Sequence, residues 1–155
     1  MLTSWLQYAA GGNEENTVIL HAGDMIGATP PESALLHDEP TIRFFGALPH
    51  SFRRVQHKDN QSIQPVPVLA GLGNHELDNG LVELLRLLNG GLRADSSARD
   101  EKPFEGARFP MLCANLVSKS NGRTVFSPHT VLQVNGVRIG FIGAMVEDAS
   151  RYLLP

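Results

Sequence analysis

The sequence contains only one cysteine, so it cannot form an intramolecular disulfide. Cys113 is flanked by Met111, Leu112 and Ala114, and apolar neighbours of this kind predict a buried, unreactive thiol. Cysteine usage therefore points to no particular redox compartment, and the sequence assigns no localisation.

The sequence also lacks an excess of charge of either sign. Its formal net charge is -3 at pH 7 and its pI is about 6.0, which excludes a global field that would attract a polyanion. One basic cluster comprises Arg53, Arg54, His57 and Lys58, but it has no interleaved aromatic residues and is typical of a solvated loop. We therefore expect no nucleic-acid polymer among the partners of this chain.

Long apolar runs are absent as well. No segment is long enough to cross a bilayer, and residues 1–6 show neither a basic segment nor sustained hydrophobicity, so we expect no membrane span and no signal peptide. What is present is an apolar fraction of 42% in 155 residues, which is enough to build the core of one ordinary domain.

Strand and helix patterns alternate along the chain. The apolar runs 17–20 and 66–72 are typical of strands buried on both faces. Each run is followed by a polar or glycine-containing loop and then by an amphipathic helix pattern, with Asp38 or Glu39 at the start of the first helix. This order predicts an α/β sheet with helical cover.

Turn residues and spacing predict the remaining elements. Asn135–Gly136 between two apolar runs is the strongest short-range signal for a hairpin. Segment 50–65 is polar and aperiodic, and it is long enough to be an insertion loop. The predicted elements are helices at 2–10, from Pro40 and over 81–88; strands at 110–113, 130–134 and 137–142; and exposed loops at 50–65 and 94–106.

Polar loops follow the first two predicted strands, at the edge where an α/β sheet gathers its ligands. Asp24 lies in the first loop, and Asn74, His75 and Asp78 lie in the second. A carboxylate, a neutral amide oxygen and an imidazole in adjacent loops can build a metal site. Taken alone, Asp24 is more typical of a turn aspartate that accepts hydrogen bonds from nearby amides.

The residue types suggest separate roles in such a site. Asp24 can bridge two cations with its two oxygens, and Asn74 offers a carbonyl oxygen without adding negative charge. A protonated His75 can donate to a phosphoryl oxygen or protonate a leaving alkoxide, with Asp78 orienting the ring and keeping it cationic. Asp78 has an alternative role as the N-cap of the next helix. The same two roles are open for Glu76, with less support from the sequence.

Two segments of the sequence resemble motifs of a known family. Residues 22–30 (AGDMIGATP) and 73–80 (GNHELDNG) resemble the second and third signature motifs of the 5'-nucleotidase branch of the calcineurin-like metallophosphoesterases. Residues 39–42, 109–116 and 135–143 resemble a helix, a strand and a hairpin of that family. The resemblance covers most of the chain and implies a partial calcineurin-like metallophosphoesterase fold over 1–155, with mixed β-sheets flanked by helices.

The resemblance also implies a function for the candidate residues. Asp24 would bridge two metals and Asn74 would bind the second, while His75 and Asp78 would act at the phosphoryl and leaving groups. The implied cofactors are two divalent ions, zinc, manganese or similar. The implied reaction is the hydrolysis of nucleotide 5'-phosphates or related small phosphoesters by in-line attack of a metal-bound hydroxide.

Other features of the family have no counterpart in the sequence. The first motif, Asp-x-His, and the later Gly-His-x-His motif are both missing, and so is the substrate domain. We therefore expect this chain to be inactive by itself. The alternative is a non-catalytic, truncated homologue that keeps part of the scaffold for partner binding. Members of the family are often periplasmic, secreted or on the cell surface.

Two further expectations concern the sheet edge and the remaining histidines. The run at 17–20 lacks a preceding strand, and an unpaired edge there would favour self-association. We do not expect the other five histidines to replace the missing ligands: His21 and His129 are predicted to be structural, and His37, His50 and His57 to be solvent-exposed.

Overall fold

The computed structural model describes residues 2–53, 66–95 and 102–147. None of the helices in these segments has the length and apolarity needed to cross a membrane. The helices are α1 (Leu2–Ala10), α2 (Pro31–Ala34), α3 (Glu39–Arg53) and α4 (Gly80–Asn89), with single 3-10 turns at Glu14–Asn16 and His75–Leu77; the strands are β1 (Ile19–His21), β2 (Val68–Gly71), β3 (Met111–Leu112), β4 (His129–Val134) and β5 (Val137–Ile142).

Strand β2 is the centre of a parallel sheet in the order β1-β2-β3. Leu20 of β1 pairs with Leu69 of β2, and Ala70 of β2 pairs with Met111 of β3. Because neighbouring parallel strands end at the same edge of a sheet, the loops that follow β1 and β2 lie side by side. β1 is an edge strand among the described residues, and self-association through it stays a prediction.

Strands β4 and β5 form a separate antiparallel hairpin. Its turn residues, Asn135 and Gly136, have φ values of 45° and 81°, the left-handed conformations that a two-residue type I′ turn requires. The N–H of Ala114 donates to the carbonyl of Gly143 at 2.8 Å, which joins the end of the hairpin to the segment after β3. The predicted hairpin is confirmed.

The main core lies on one face of the parallel sheet, against α3 and α4. Side chains alternate along a strand, so Val68 and Ala70 of β2 face this core while Leu69 faces the other side. Arg86 of α4 donates to Glu39 of α3 at 2.8 Å and ties the two helices together. The largest fully buried side chains are Ile42, Leu48, Leu72, Leu84, Leu87, Val66 and Cys113.

Helix α3 extends further than the sequence pattern indicated. It contains Pro49 and ends at Arg53, so the first four residues of the predicted insertion at 50–65 are helical. Residues 54–65 lie outside the described segments, together with His57 and most of the predicted basic cluster. The insertion and the solvated character of that cluster therefore stay predictions.

The segment predicted as an exposed loop at 94–106 contains a core residue. Phe104 is buried and forms a backbone bridge with Gly91. The N–H of each residue donates to the carbonyl oxygen of the other at 3.0 Å. The guanidinium groups of Arg43 and Arg86 lie 5.2 and 5.6 Å from its ring centroid. The prediction was wrong at this position because an isolated phenylalanine among polar residues gives no periodic signal.

Other element boundaries agree with the sequence to within a few residues. Helix α1 matches the predicted range 2–10, and the buried Cys113 confirms the predicted buried thiol. The first strand is shifted, because β1 begins at Ile19 rather than Thr17 and includes His21. His37 is half-buried rather than exposed, since it sits in a tight turn with φ 54° between α2 and α3.

A pair of substitutions in α4 tests the assignment of its buried face. Leu84 is 1% exposed and Val82 is 79% exposed, so Leu84→Ala opens a cavity while Val82→Ala does not. We expect Leu84→Ala to lower the free energy of unfolding by about 2–5 kcal/mol. Val82→Ala should change it by no more than about 0.5 kcal/mol. Urea unfolding followed by circular dichroism measures both, and equal losses would contradict the assignment.

Candidate metal and phosphoester site

The loops after β1 and β2 meet at the carboxyl edge of the parallel sheet. Asp24 is exposed in the first loop, three residues beyond His21, the last residue of β1 that pairs with β2. Asn74 and His75 are half-buried in the second loop, where His75 opens the 3-10 turn. The fold thus places the predicted site residues of both loops at one edge of the sheet.

Asp24 contacts the second loop directly. Its Oδ1 accepts a hydrogen bond from the backbone N–H of His75 at 3.1 Å. Asp24 has a φ of 60°, a left-handed conformation that is uncommon outside glycine. Asp24 therefore accepts from a nearby backbone amide, as a turn aspartate would, but this amide belongs to the second loop, 51 positions along the chain.

His75 and Asp78 form a close pair. The distance between His75 Nδ1 and Asp78 Oδ2 is 2.7 Å, and the histidine side chain keeps 40% of its surface exposed. The hydrogen bond that the His75 ring donates to the Asp78 carboxylate raises the pKa of His75 above its ordinary value, and the charges of Asp78, Asp24 and Glu76 add smaller contributions in the same direction. The ring is thus biased toward the protonated, hydrogen-donating form.

The structure decides between the two roles that the sequence left open for Asp78. Helix α4 begins at Gly80 and its N-cap is Asn79, which makes no side-chain capping bond. Asp78 lies one residue before that cap, and its carboxylate is bonded to His75. The N-cap alternative is therefore not realised, and the carboxylate is free to orient the imidazole.

Glu76 joins the two loops in a way that the sequence did not predict. Its Oε2 accepts from the backbone N–H groups of Gly73 and Asp24 at 2.7 and 2.8 Å, and its Oε1 accepts from Met25 at 2.7 Å. The residue is 2% exposed. A glutamate in a polar loop is normally solvated, so no sequence signal marks this burial.

Asp38 holds the far end of the first loop. Its Oδ2 accepts from the N–H of Gly27 at 2.9 Å, and its Oδ1 accepts from the hydroxyls of Ser33, at 2.9 Å, and Thr29. Asp38 directly precedes α3, as the sequence predicted, and it is also buried. The loop that carries Asp24 is therefore anchored by one buried carboxylate at each end.

Glycines permit the close approach of the loops. A Cβ atom on Gly73 would lie 2.2 Å from Asp24 Oδ1, and one on Gly27 would lie 2.3 Å from the carbonyl oxygen of His75. Both distances are far below van der Waals contact. Any larger residue at either position would separate the carboxylate from the histidine loop.

Two other histidines that the structure describes, His21 and His129, do not enlarge the site. His21 Nδ1 accepts from the N–H of Gly23 at 3.2 Å, and its ring packs edge-on against Phe45 at 4.9 Å. It is therefore a structural histidine, as predicted. His129 is exposed on β4 and takes part in none of the hydrogen bonds of the site.

The donor set fits part of a two-metal centre. The side chains of Asp24 and Asn74 carry hard oxygen donors of the kind that suits divalent ions. The carboxylates of Glu76 and Asp78 are nearby but already engaged with backbone amides and with His75. Within the described segments, no three acidic, histidine or cysteine side chains form a group that could hold a metal ion. These residues alone therefore do not complete the coordination of either ion.

Comparison with known proteins gives several similar chains. This chain is 34% identical over 142 residues to the endonuclease YhcR of Bacillus subtilis, covering 92% of this chain and 10% of that protein. It is 29% identical over 143 residues to a 5'-nucleotidase of Vibrio cholerae, covering 92% of this chain and 19% of that protein. No protein-family model matches the chain.

A solved structure is similar in fold. The crystal structure of a 5'-nucleotidase precursor from Thermus thermophilus superposes with a TM-score of 0.53 at 25% identity, over 94% of this chain and 22% of that one. The match confirms the predicted α/β fold class. The chain thus spans only about a tenth to a fifth of these relatives.

The His75–Asp78 pair predicts a shift that can be measured. In Asp78→Asn the strongest support of the imidazolium is lost, so the pKa of His75 should fall, as followed by NMR titration of the ring. Asp95→Asn, which removes a carboxylate paired with Arg93 instead, should leave the His75 titration in place.

The same pair predicts a pH dependence of stability. Because the folded pKa of His75 is raised, the pair stabilises the fold below the ordinary histidine pKa, and this contribution is lost as pH rises through the raised value. The stability difference between the wild type and Asp78→Asn should therefore be larger at about pH 5.5 than at about pH 9. A difference that grows with pH would contradict the pairing.

Proposed function

We propose that this chain, which is related in sequence and in fold to the 5'-nucleotidase branch of the calcineurin-like metallophosphoesterases, carries part of a metal-dependent phosphoester hydrolysis site. Its substrates would be nucleotide 5'-phosphates or related small phosphoesters. The observation that carries the proposal is the meeting of Asp24 with the His75–Asp78 pair at the ends of two neighbouring parallel strands.

Asp24 and Asn74 are the residues that would hold the divalent ions. The Asp24 carboxylate is exposed, and among the described residues it accepts a single hydrogen bond, so it retains an oxygen for a ligand. Asn74 is the neighbour of His75, whose amide binds that carboxylate. When bound, the two ions would supply a Lewis acid for the phosphoryl oxygens and an activated water.

His75 would act on the phosphoryl group and the leaving group. Its Nδ1 is held by Asp78, which leaves Nε2 to donate to a phosphoryl oxygen or to protonate the departing alkoxide. Asp78 fixes the orientation of the ring and favours its protonated form. The buried face of the turn, with Glu76 and Leu77, keeps this pair at a constant position relative to Asp24.

The incomplete donor set supports two statements about the isolated chain. We expect the 155-residue chain to hydrolyse no aryl phosphate with manganese or zinc, because the described residues supply too few ligands. The same incompleteness favours the second candidate, a non-catalytic homologue that keeps part of the scaffold for partner binding. The two candidate functions predict different activities when this chain replaces the matching segment of a full-length relative.

A chimera separates the two candidates. This chain would replace the aligned segment of the Vibrio cholerae 5'-nucleotidase, and the purified chimera would be assayed for metal-dependent release of phosphate from AMP. If the chain carries a competent half-site, the chimera hydrolyses AMP, and His75→Gln lowers kcat by about 10²- to 10⁴-fold. His129→Gln is the matched control and should retain the activity of the chimera.

Two results would contradict the proposed function. One is a chimera that folds cooperatively but hydrolyses AMP no faster than its own Asp24→Asn variant, which would favour the non-catalytic homologue. The other is hydrolysis by the isolated chain that survives Asn74→Ala, which would remove Asn74 from the site.

A further inference from the structure

Glu76 is the acidic residue of the histidine loop that the proposed function makes neither a metal ligand nor a group that touches the substrate. It is buried, and it lies between Asn74 and Asp78 in sequence, directly after His75. Both of its oxygens are engaged with backbone N–H donors, which excludes it as a metal ligand in this conformation. Its contacts must therefore serve another purpose.

The three amides that Glu76 binds belong to both loops. Gly73 precedes Asn74 in the second loop, and Asp24 and Met25 belong to the first. One carboxylate thus fixes the backbone on either side of the proposed ligands. The contact of Asp24 Oδ1 with the amide of His75 does not involve Glu76, but it requires the two backbones to stay at this separation.

We propose that Glu76 is a positioning residue that sets Asp24 and Asn74 at the spacing required to bind a divalent ion before the ion arrives. This inference rests on the metal-binding role proposed above for those two residues. Glu76 itself touches neither ion nor substrate. Groups that orient metal ligands in this manner typically change metal affinity by about 10- to 100-fold when they are removed.

The geometry makes Glu76→Gln an informative substitution. Glutamine keeps the shape of the side chain but replaces one acceptor oxygen with an NH2 donor. If its oxygen takes the place of Oε2, the amide of Met25 faces the NH2 group; if it takes the place of Oε1, the amides of Asp24 and Gly73 do. Either orientation sets donor against donor and loosens at least one loop.

Two measurements on the 155-residue chain test the proposal. The first is Mn²⁺ affinity, from the EPR signal of the free ion, which should be about 10- to 100-fold weaker in Glu76→Gln than in the wild type. The second is native-state hydrogen exchange of the His75 amide, which Glu76 does not touch. Its protection should fall in Glu76→Gln because the bond to Asp24 needs both loops in place.

Leu84→Ala is the matched control for general destabilisation. It removes buried side-chain atoms from α4 and shares no hydrogen bond with the loops. Under conditions where both variants are folded, it should keep the Mn²⁺ affinity of the wild type within about threefold. His75 protection should fall in this variant by no more than its loss of global stability explains.

The outcomes distinguish this inference from the proposed function. Wild-type His75 protection retained in Glu76→Gln would overturn the positioning role, whether or not the chain binds Mn²⁺. Absence of saturable Mn²⁺ binding in the wild type, or binding unchanged by Asp24→Asn, would overturn the metal site and with it the inference. Recovery of Mn²⁺ affinity in Glu76→Asp without recovery of His75 protection would assign the effect to charge and would also overturn positioning.

Discussion

A single buried carboxylate joins the two loops on which the candidate site is built. An isolated carboxylate in the interior costs several kcal/mol, and Glu76 is tolerated there because three backbone amides from both loops converge on it. Converging amides of this kind form anion sites in other loops. Here the anion is a side chain of the protein itself, so these amides are not available to a phosphoryl group.

This arrangement explains why the remaining polar groups of the site point outward. With its backbone donors used by Glu76, the edge of the sheet presents Asp24 and the His75–Asp78 pair to solvent. Asp38 performs a similar structural task at Gly27, where it ties the end of the same loop to the start of α3. The two loops therefore contain both buried carboxylates, Glu76 and Asp38, that bind backbone amides, and carboxylates, Asp24 and Asp78, that face the edge of the sheet.

The similarity to a solved 5'-nucleotidase concerns only part of that structure. A solved 5'-nucleotidase precursor shares the fold over 94% of this chain but extends well beyond it, because the matched region is 22% of that structure. The described residues contain the carboxylate of Asp24, the amide of Asn74 and the His75–Asp78 pair, yet they supply no group of three acidic, histidine or cysteine side chains that could hold a metal ion. Under the proposed function, this chain therefore contributes two metal ligands and one general acid.

The sequence determined the order of the elements and identified the residues that we propose for the site. Strand runs, leucine spacing and the Asn135–Gly136 turn depend on local propensity and periodicity, and the corresponding helices and strands are present with shifted ends. The grouping of Asp24 with Asn74, His75 and Asp78 followed from loops at the ends of adjacent strands. Such features are local, so they can be inferred without knowing how the chain packs.

Only the tertiary structure determined which groups each carboxylate contacts. Glu76 and Asp78 are alike in the sequence, but one is buried under three amides and the other is paired with a histidine. The burial of Phe104 and the link between Asp24 and the amide of His75 likewise join residues that are distant in the chain. These outcomes depend on which donors and apolar surfaces the fold brings together, and no pattern in a single segment encodes that.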